Sequence, residues 1–383
     1  MGQIKKYWVD KATGKYLTKN IDGQDYLLYK WVEEEEEEEN LKLFEFTVNN
    51  SNLVGFSHFE MDFQGLSGEG LIDVGDGETF LEYILEGTYP YMVYDYGDGS
   101  AEWTQFEYPS EGEWTVKVYY KPNLPYQDLQ YARDAVFLLY LFNLRVINTL
   151  DISMFEKLSY FDLQSASVTD IIFPTTFHPN WGMQFFIYNV SELEVVDMSG
   201  STLPMTYDNH GLTITNCPDL KSIYFPKGND SMGGIVIFNC DELTDIVIDK
   251  NLNIIVRFQI YNCSLLSNLQ ITGGSNNPIR FFDMNNLPNL PYFDVKIWPN
   301  LTNISGSATW NPATWSFRDN NWDAERVNRV LVDLDTISNN EYINRRIRVD
   351  GNNAPPDSSS GGYDGLAAKA SLEGKDFQVW IGS

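Results

Sequence analysis

Apolar and polar residues alternate with period two over most of this chain, and between residues 145 and 300 the alternation is itself repeated. The segment Leu212-Thr213-Ile214-Thr215-Asn216-Cys217-Pro218-Asp219-Leu220-Lys221-Ser222-Ile223-Tyr224-Phe225 aligns without gaps with those opening at Ile235 and Phe258. Each reads apolar-x-apolar-x-Asn-Cys-x-x-Leu-x-x-apolar-x-apolar, which predicts a strand, a corner and a second strand. Flanking copies keep Asn189-Val190 with Leu193, Val196 and Met198, and Asn286-Leu287 with Leu290, Phe293 and Val295. The anchor asparagines stand at 189, 216, 239, 262 and 286, in steps of 27, 23, 23 and 24. Less regular copies precede them, as Leu158-x-x-Phe161-x-Leu163 and Val168-x-x-Ile171-x-Phe173. A coil this short cannot bury its apolar edge alone, so neighbouring coils must supply the other half of the core and the segment is expected to be a solenoid. An asparagine at a recurrent inward bend would satisfy backbone groups whose loss costs about 1–3 kcal/mol. Cys217, Cys240 and Cys263 share a site that is Val190 or Leu287 in other copies, so they are expected to be packed, free thiols.

A period in the low twenties with a Leu-x-x-apolar-x-apolar strand is the leucine-rich-repeat signature. The Asn-Cys-x-x-Leu-x-x-Ile-x-Ile phrasing resembles the irregular repeats of BspA-like surface proteins over about 150 residues. That resemblance implies adhesion.

Before the repeats, strand-like pieces run from Leu41 to about Tyr120, separated by turn signals. Two turns are near copies, Asp73-Val74-Gly75-Asp76-Gly77-Glu78 and Asp95-Tyr96-Gly97-Asp98-Gly99-Ser100. Glycine accepts positive φ and aspartate bonds its own backbone, so both suit hairpins; neither has the Asp-x-Asp-x-Asp-Gly spacing of a calcium loop. Tyr94 to Ser100, Phe106-Glu107-Tyr108-Pro109 and Gly112-Glu113-Trp114-Thr115-Val116-Lys117-Val118 resemble the closing half of a PKD-like β-sandwich. Such modules are spacers or binding platforms.

The two ends differ from this body. Residues 1–32 are rich in aromatics and read as short strands or a docking arm, and Glu33 to Glu39 follow as seven consecutive carboxylates. Like charges at every spacing oppose helix and sheet, which favours a solvated hinge over a cation-binding tract; extended, it spans about 23 Å at roughly 3.3 Å per residue. Beyond the repeats, Val327, Val330, Leu331 and Leu334 fall at helical spacing, with Asp319 to Asp323 as capping residues. A strand and loop from Ile347 to Pro356, a short helix over Gly365–Lys375 and a strand over Phe377–Ile381 complete a tail. It resembles the C-terminal unit of repeat proteins of phages and their Bacteroidota hosts. The expected fold is thus mainly β. It comprises an N-terminal arm (1–32), a poly-Glu hinge (33–40), a PKD/Ig-like β-sandwich (41–121), a leucine-rich-repeat solenoid with its N-terminal cap (122–316) and a small α+β cap (317–383).

Composition narrows the function. The 383 residues carry 54 acidic and 26 basic side chains, a formal charge of −28, of which residues 1–30 hold +3. A surface this negative repels phosphate backbones and anionic lipid, and no local basic run offsets it, so neither nucleic acid nor membrane is an expected partner. The longest apolar run, Ala135 to Phe142, is far short of the roughly 20 residues of a membrane span, and the first ten residues lack the apolar core of a secretory signal. His58, His178 and His210 are isolated, and no nucleophile elbow, phosphate loop or dinucleotide fingerprint is present. No enzyme, cofactor or metal is therefore expected. Trp298, Trp310, Trp315 and Trp322 cluster near the solenoid's end, where exposed rings would stack on sugars and buried ones would fill the core.

These features together lead to a structural virion protein, a phage head or tail fibre assembled in the host cytoplasm. Residues 1–32 would dock on capsid or tail proteins, the body would hold host-surface polysaccharide or protein, and the fibre would be a homo-oligomer, dimer or trimer. The alternative is a bacterial cell-surface leucine-rich-repeat adhesin. The native-looking arm favours the virion.

Overall fold

The computed structural model describes residues 149–382 apart from 178–183, 203–210, 227–230, 249–252, 272–278, 304–311 and 340–343; before residue 149 it describes twelve segments, mostly strand backbone. Both Gly-Asp-Gly turns, most of the poly-Glu tract, His178, His210 and Trp310 lie outside the described residues.

The fold is mainly β, and its body is a β-solenoid. Its spine is a twelve-stranded sheet in which the strands Val136–Phe142, Tyr160–Gln164, Gln184–Tyr188, Gly211–Thr215, Ser231–Phe238, Asn253–Tyr261, Phe281–Asn285, Ala313–Ser316, Arg345–Val349 and Phe377–Ile381 are successive parallel neighbours. On the opposite side each coil lays a shorter strand. Val195–Asp197, Ser222–Tyr224, Asp245–Ile248 and Asn268–Ile271 form a parallel back sheet. The apolar positions of the repeat stack rung over rung between the sheets. Leu212, Ile235, Phe258 and Phe282 make one column and Ile214, Ile237, Ile260 and Met284 the next, all fully buried. Burying such side chains is worth about 1.5–3 kcal/mol each, which is what holds the coils in register.

The corner asparagines face the other way from expectation. Asn189, Asn216, Asn239, Asn262 and Asn286 are exposed and have φ between 53° and 56°. From Asn216 onward each side-chain amide donates to the amide oxygen of the preceding coil's asparagine, at 2.8, 2.8, 2.9 and 3.0 Å. Asparagine is selected at this corner because it tolerates the left-handed region and forms an outer ladder. The inward role falls to the next residue. The Cys217, Cys240 and Cys263 thiols are buried and reach backbone carbonyls. The Cys240 contact and burial push the Cys217 thiol well above its usual range; Cys240, lowered by its contact with Cys217 but raised more by Cys263 and burial, is pushed up to about 12. In the last two coils Asn320 and Asn353 take that inward position. Replacing Asn239 by glycine is expected to be nearly neutral, whereas alanine costs about 1–2 kcal/mol, the left-handed penalty. Denaturant unfolding of both variants checks this, and equal losses would show that the ladder, not φ, sets the residue.

The α+β tail is two more coils of the same sheet. Residues 317–383 contribute Arg345–Val349 and Phe377–Ile381 to the spine, and two helices replace the back strands, α1 (Ala324–Ile337) and α2 (Gly365–Gly374). The Asp323 carboxylate caps α1 by accepting from Arg326 N–H at 3.0 Å, and Val327, Val330, Leu331 and Leu334 face the core. At the other end, the strands of residues 41–121 are divided between two sheets. Leu41–Asn50, Gly112–Pro122, Gly68–Asp73 and Phe80–Leu85 form an antiparallel sheet. His58–Phe63 instead extends the spine, antiparallel to Val136–Phe142, and Tyr91–Met92 pairs antiparallel with His58–Phe63 at its outer edge. Phe44 packs edge-on against Phe155 of the first coil, ring centres 5.6 Å apart, so the antiparallel sheet shares the solenoid's core. In the arm, Gln3–Tyr7 pairs with Tyr29–Glu33 and Thr18–Ile21 with Gln24–Leu27. Among the described residues no helix is long and apolar enough to cross a membrane.

Candidate functional site

Three of the four tryptophans expected near the end of the solenoid are core residues, Trp310 lying outside the described residues. Trp298, Trp315 and Trp322 are buried, and Trp315 Nε1 donates to the carbonyls of Ile279 and Leu301 at 3.0 and 3.2 Å. Filling the core is therefore their role, and no sugar reaches them. Binding chemistry lies instead on the outward face of the spine, at the repeat's polar positions.

In a parallel sheet, alternate residues of each strand point away from the core, and equivalent positions line up about 4.8 Å apart. Two similar clusters form there. In the first, Tyr160, Asp162 and Gln164 of one strand stand beside Gln184, Phe186 and Tyr188 of the next. Tyr160 Oη and Gln164 Nε2 each donate to Asp162 Oδ2 at 3.1 Å, and the Phe186 and Tyr188 rings stack at 5.8 Å. Asp162 is only 5% exposed, and its Oδ1 has no hydrogen-bond partner. Burial raises its pKa, against the opposing pull of the Gln164 and Tyr160 bonds. Burial also raises Tyr188, helped by the Asp162 charge.

The second cluster repeats this chemistry five rungs along, about 24 Å away. Gln259 pairs in register with Asp283, and its amide donates to the Asp283 carboxylate. Phe238 and Tyr261 stack beside them at 4.9 Å. Burial raises the pKa of Asp283, partly offset by the Gln259 bond and by the charges of Arg257 and Arg348. Between the clusters the outward residues are smaller, among them Gly211, Thr213, Gly234 and Val236. A Cβ on Gly211 would stand 1.8 Å from the Gly234 carbonyl oxygen on the next rung, so no side chain fits there.

The buried carboxylates set the sign of a pH effect. A raised native pKa means that the native state binds more protons than the unfolded chain, so stability falls as pH rises from about 4 through that pKa. Asp162→Asn keeps an acceptor for Tyr160 and Gln164 and removes the penalised charge. It is expected to stabilise the protein at pH 7 by about 1 kcal/mol and to lose that advantage near pH 4. Thermal unfolding at both pH values measures this; a loss of stability at pH 7 would show that the charge is held by a partner.

The back side offers a contrasting feature. Asp170–Ile172 and Val195–Asp197 are neighbours without a ladder, and a groove of about 840 Å³ opens between them. The two coils differ there by one residue: Val168 follows the left-handed Ser165 by three positions, whereas Leu193 follows Asn189 by four, and Glu192 is itself left-handed, φ 65°. Asp170, Glu192, Glu194 and Asp197 line the groove with a 44% exposed Ile172. Glu194 is paired to Lys221 at 2.7 Å, and no group of three or more metal-ligating side chains is found among the described residues.

The two clusters did not emerge from the sequence as sites. Their signal was nonetheless present, because the outward positions of the repeat are occupied by Tyr, Phe, Gln and Arg where a purely solvated face would hold Lys, Glu, Ser and Thr. Comparison of the chain with known protein families, with characterised proteins and with solved structures finds no match.

Proposed function

We propose that this protein is a structural virion component, a phage head or tail fibre, whose solenoid holds host-surface glycans on the outward face of its long sheet. The observation that supports adhesion most directly is the doubled cluster of carboxylate, amide and stacked aromatic rings on one half-exposed sheet face. Aromatic faces stack on sugar rings, and paired acceptors and donors read hydroxyls. In this reading the coils are leucine-rich repeats of the BspA-like kind and residues 41–121 a PKD-like spacer. Residues 1–32 dock on capsid or tail proteins, the poly-Glu tract at 33–40 is the hinge, and the fibre is a dimer or trimer.

Two experiments divide the claim. Deleting residues 1–39 is expected to remove the chain from purified particles, judged by mass spectrometry, while leaving a folded body; normal incorporation refutes the docking role. Tyr188→Ala combined with Tyr261→Ala is expected to reduce adsorption of the isolated protein to host cells at least tenfold. Undiminished adsorption moves the binding surface elsewhere. Adhesion without any particle association would favour the bacterial surface adhesin.

A further inference from the structure

The C-terminal end of the same face gathers positive charge, against the acidic balance of the chain as a whole. Arg257 is exposed and its guanidinium lies 5.7 Å from the Phe281 ring centre; that of Arg280 lies 5.3 Å from the same ring. Two rungs beyond Phe281, Arg346 and Arg348 point outward, and Trp380 on the last strand lies 5.9 and 4.6 Å from their guanidinium carbons. Trp380 is 45% exposed, among the most exposed large apolar side chains described. The acidic groups facing this cluster are Asp283, drawn toward Gln259, and Asp350, shared by Arg318 at 3.0 Å and Arg348 at 2.9 Å. Asp319 adds a longer contact to Arg318, at 3.9 Å. Cations therefore outnumber anions here.

Two rings, each flanked by two guanidinium groups, stand about 14 Å apart along the rungs. We propose that this end of the face binds an acidic polysaccharide. Arg257, Arg346 and Arg348 take its carboxylate or sulfate groups, and Phe281 and Trp380 stack on its sugar rings. The inference rests on the adhesion reading above and names the class of glycan. The overall charge of −28 does not oppose it at contact range, because the screening length at physiological salt is about 8 Å, shorter than the spacing of the two rings. Guanidinium suits the task because its planar fork matches a carboxylate or sulfate with two parallel bonds. Stacking on two separated rings calls for several sugar units in extended form, so a single acidic monosaccharide should bind poorly.

The test is an array of acidic polysaccharides bearing uronate, sialate or sulfate, each beside its carboxyl-reduced or desulfated form, with polyglutamate and single-stranded oligonucleotide as non-sugar polyanions. The full chain is expected to bind at least one acidic member at least tenfold more strongly than its neutral form. That preference should weaken with salt and vanish in Arg257→Gln/Arg348→Gln, while Trp380→Ala weakens binding to both forms. Unchanged thermal unfolding of the variants excludes a folding defect. Binding confined to neutral members overturns the acidic preference and leaves adhesion standing. Equal binding to polyglutamate or oligonucleotide overturns it in favour of a general polyanion surface. Binding to no member overturns both the preference and glycan adhesion.

Discussion

Asn353→Ala is expected to lower the stability of the C-terminal coils by about 4 kcal/mol, among the largest losses any single truncation in this protein should cause. Asn353 is buried, and its Oδ1 accepts from the backbone N–H groups of Asn320 and Trp322, both at 3.1 Å. Its Nδ2 donates to the carbonyls of Phe317, Val349 and Asp350 at 2.7, 3.2 and 3.3 Å. Alanine leaves two buried donors without an acceptor, and each unsatisfied group costs about 1–3 kcal/mol. Asn320 continues the arrangement toward the preceding coil, accepting from Leu287 N–H and donating to Met284 O. The loss is thus felt across three rungs. At roughly 2–4 °C per kcal/mol, the apparent Tm of this region should fall by about 10 °C, followed by the fluorescence of the buried tryptophans nearby. Because coils contact chiefly their neighbours, the loss should appear as early melting of the last coils rather than of the whole chain. A cost no larger than that of Asn239→Ala on the exposed ladder would show that water replaces the lost bonds.

Arg345→Leu is expected to cost a similar amount, for a different reason. Arg345 is fully buried, and its guanidinium sits between the C-terminal ends of both helices. It donates to Asn339 O beyond α1 at 2.9 Å, to Lys375 O at the end of α2 at 2.5 Å and to Thr302 O at 3.3 Å. Its carbon lies 3.8 Å from the Phe377 ring centre. Neither helix has a basic residue in its own last turn, so this cation and Lys375, whose ammonium bonds Asp335 O and Ser338 O, stabilise the negative ends of the helix dipoles from outside. An apolar replacement of a buried charge is neutral when every partner leaves with it. Here three carbonyls stay behind, so leucine should destabilise by about 3–5 kcal/mol and lysine, lacking the fork, by less. Chemical denaturation of both variants tests this, and a leucine variant as stable as the parent would show that the cation is dispensable.

The same stretch shows how far the sequence could be read. Alternation over Ile347 to Val349 and the helical spacing of Val327 to Leu334 made the tail's elements legible, as did Asp323 as a cap. Its membership of the spine was not legible, because helices where a back strand had been expected looked like a closing unit. Arg345, Arg346 and Arg348 are near neighbours in the chain, yet one is core and two are face, since the pleat sends neighbours to opposite sides. Likewise the asparagine repeat was plain but its direction was not. Positive φ is a backbone property, and an inward and an outward asparagine look alike in one dimension. The absence of a basic run was read as the absence of a basic patch, which the fold corrects by assembling one from four strands.

The sequence by itself determined that this is a repeating β structure, which apolar residues of each coil point inward, and where its cysteines lie. Burial of apolar side chains at period two and at a coil length in the low twenties leaves little choice there. Only the tertiary structure decided what the outward residues do together. Arg257, Phe281, Arg348 and Trp380 are separated by up to 123 positions along the chain, and loops of unequal length stand between them. They become one surface because parallel strands bring distant rungs to about 4.8 Å spacing, an alignment set by the register of the whole stack rather than by any local run of residues.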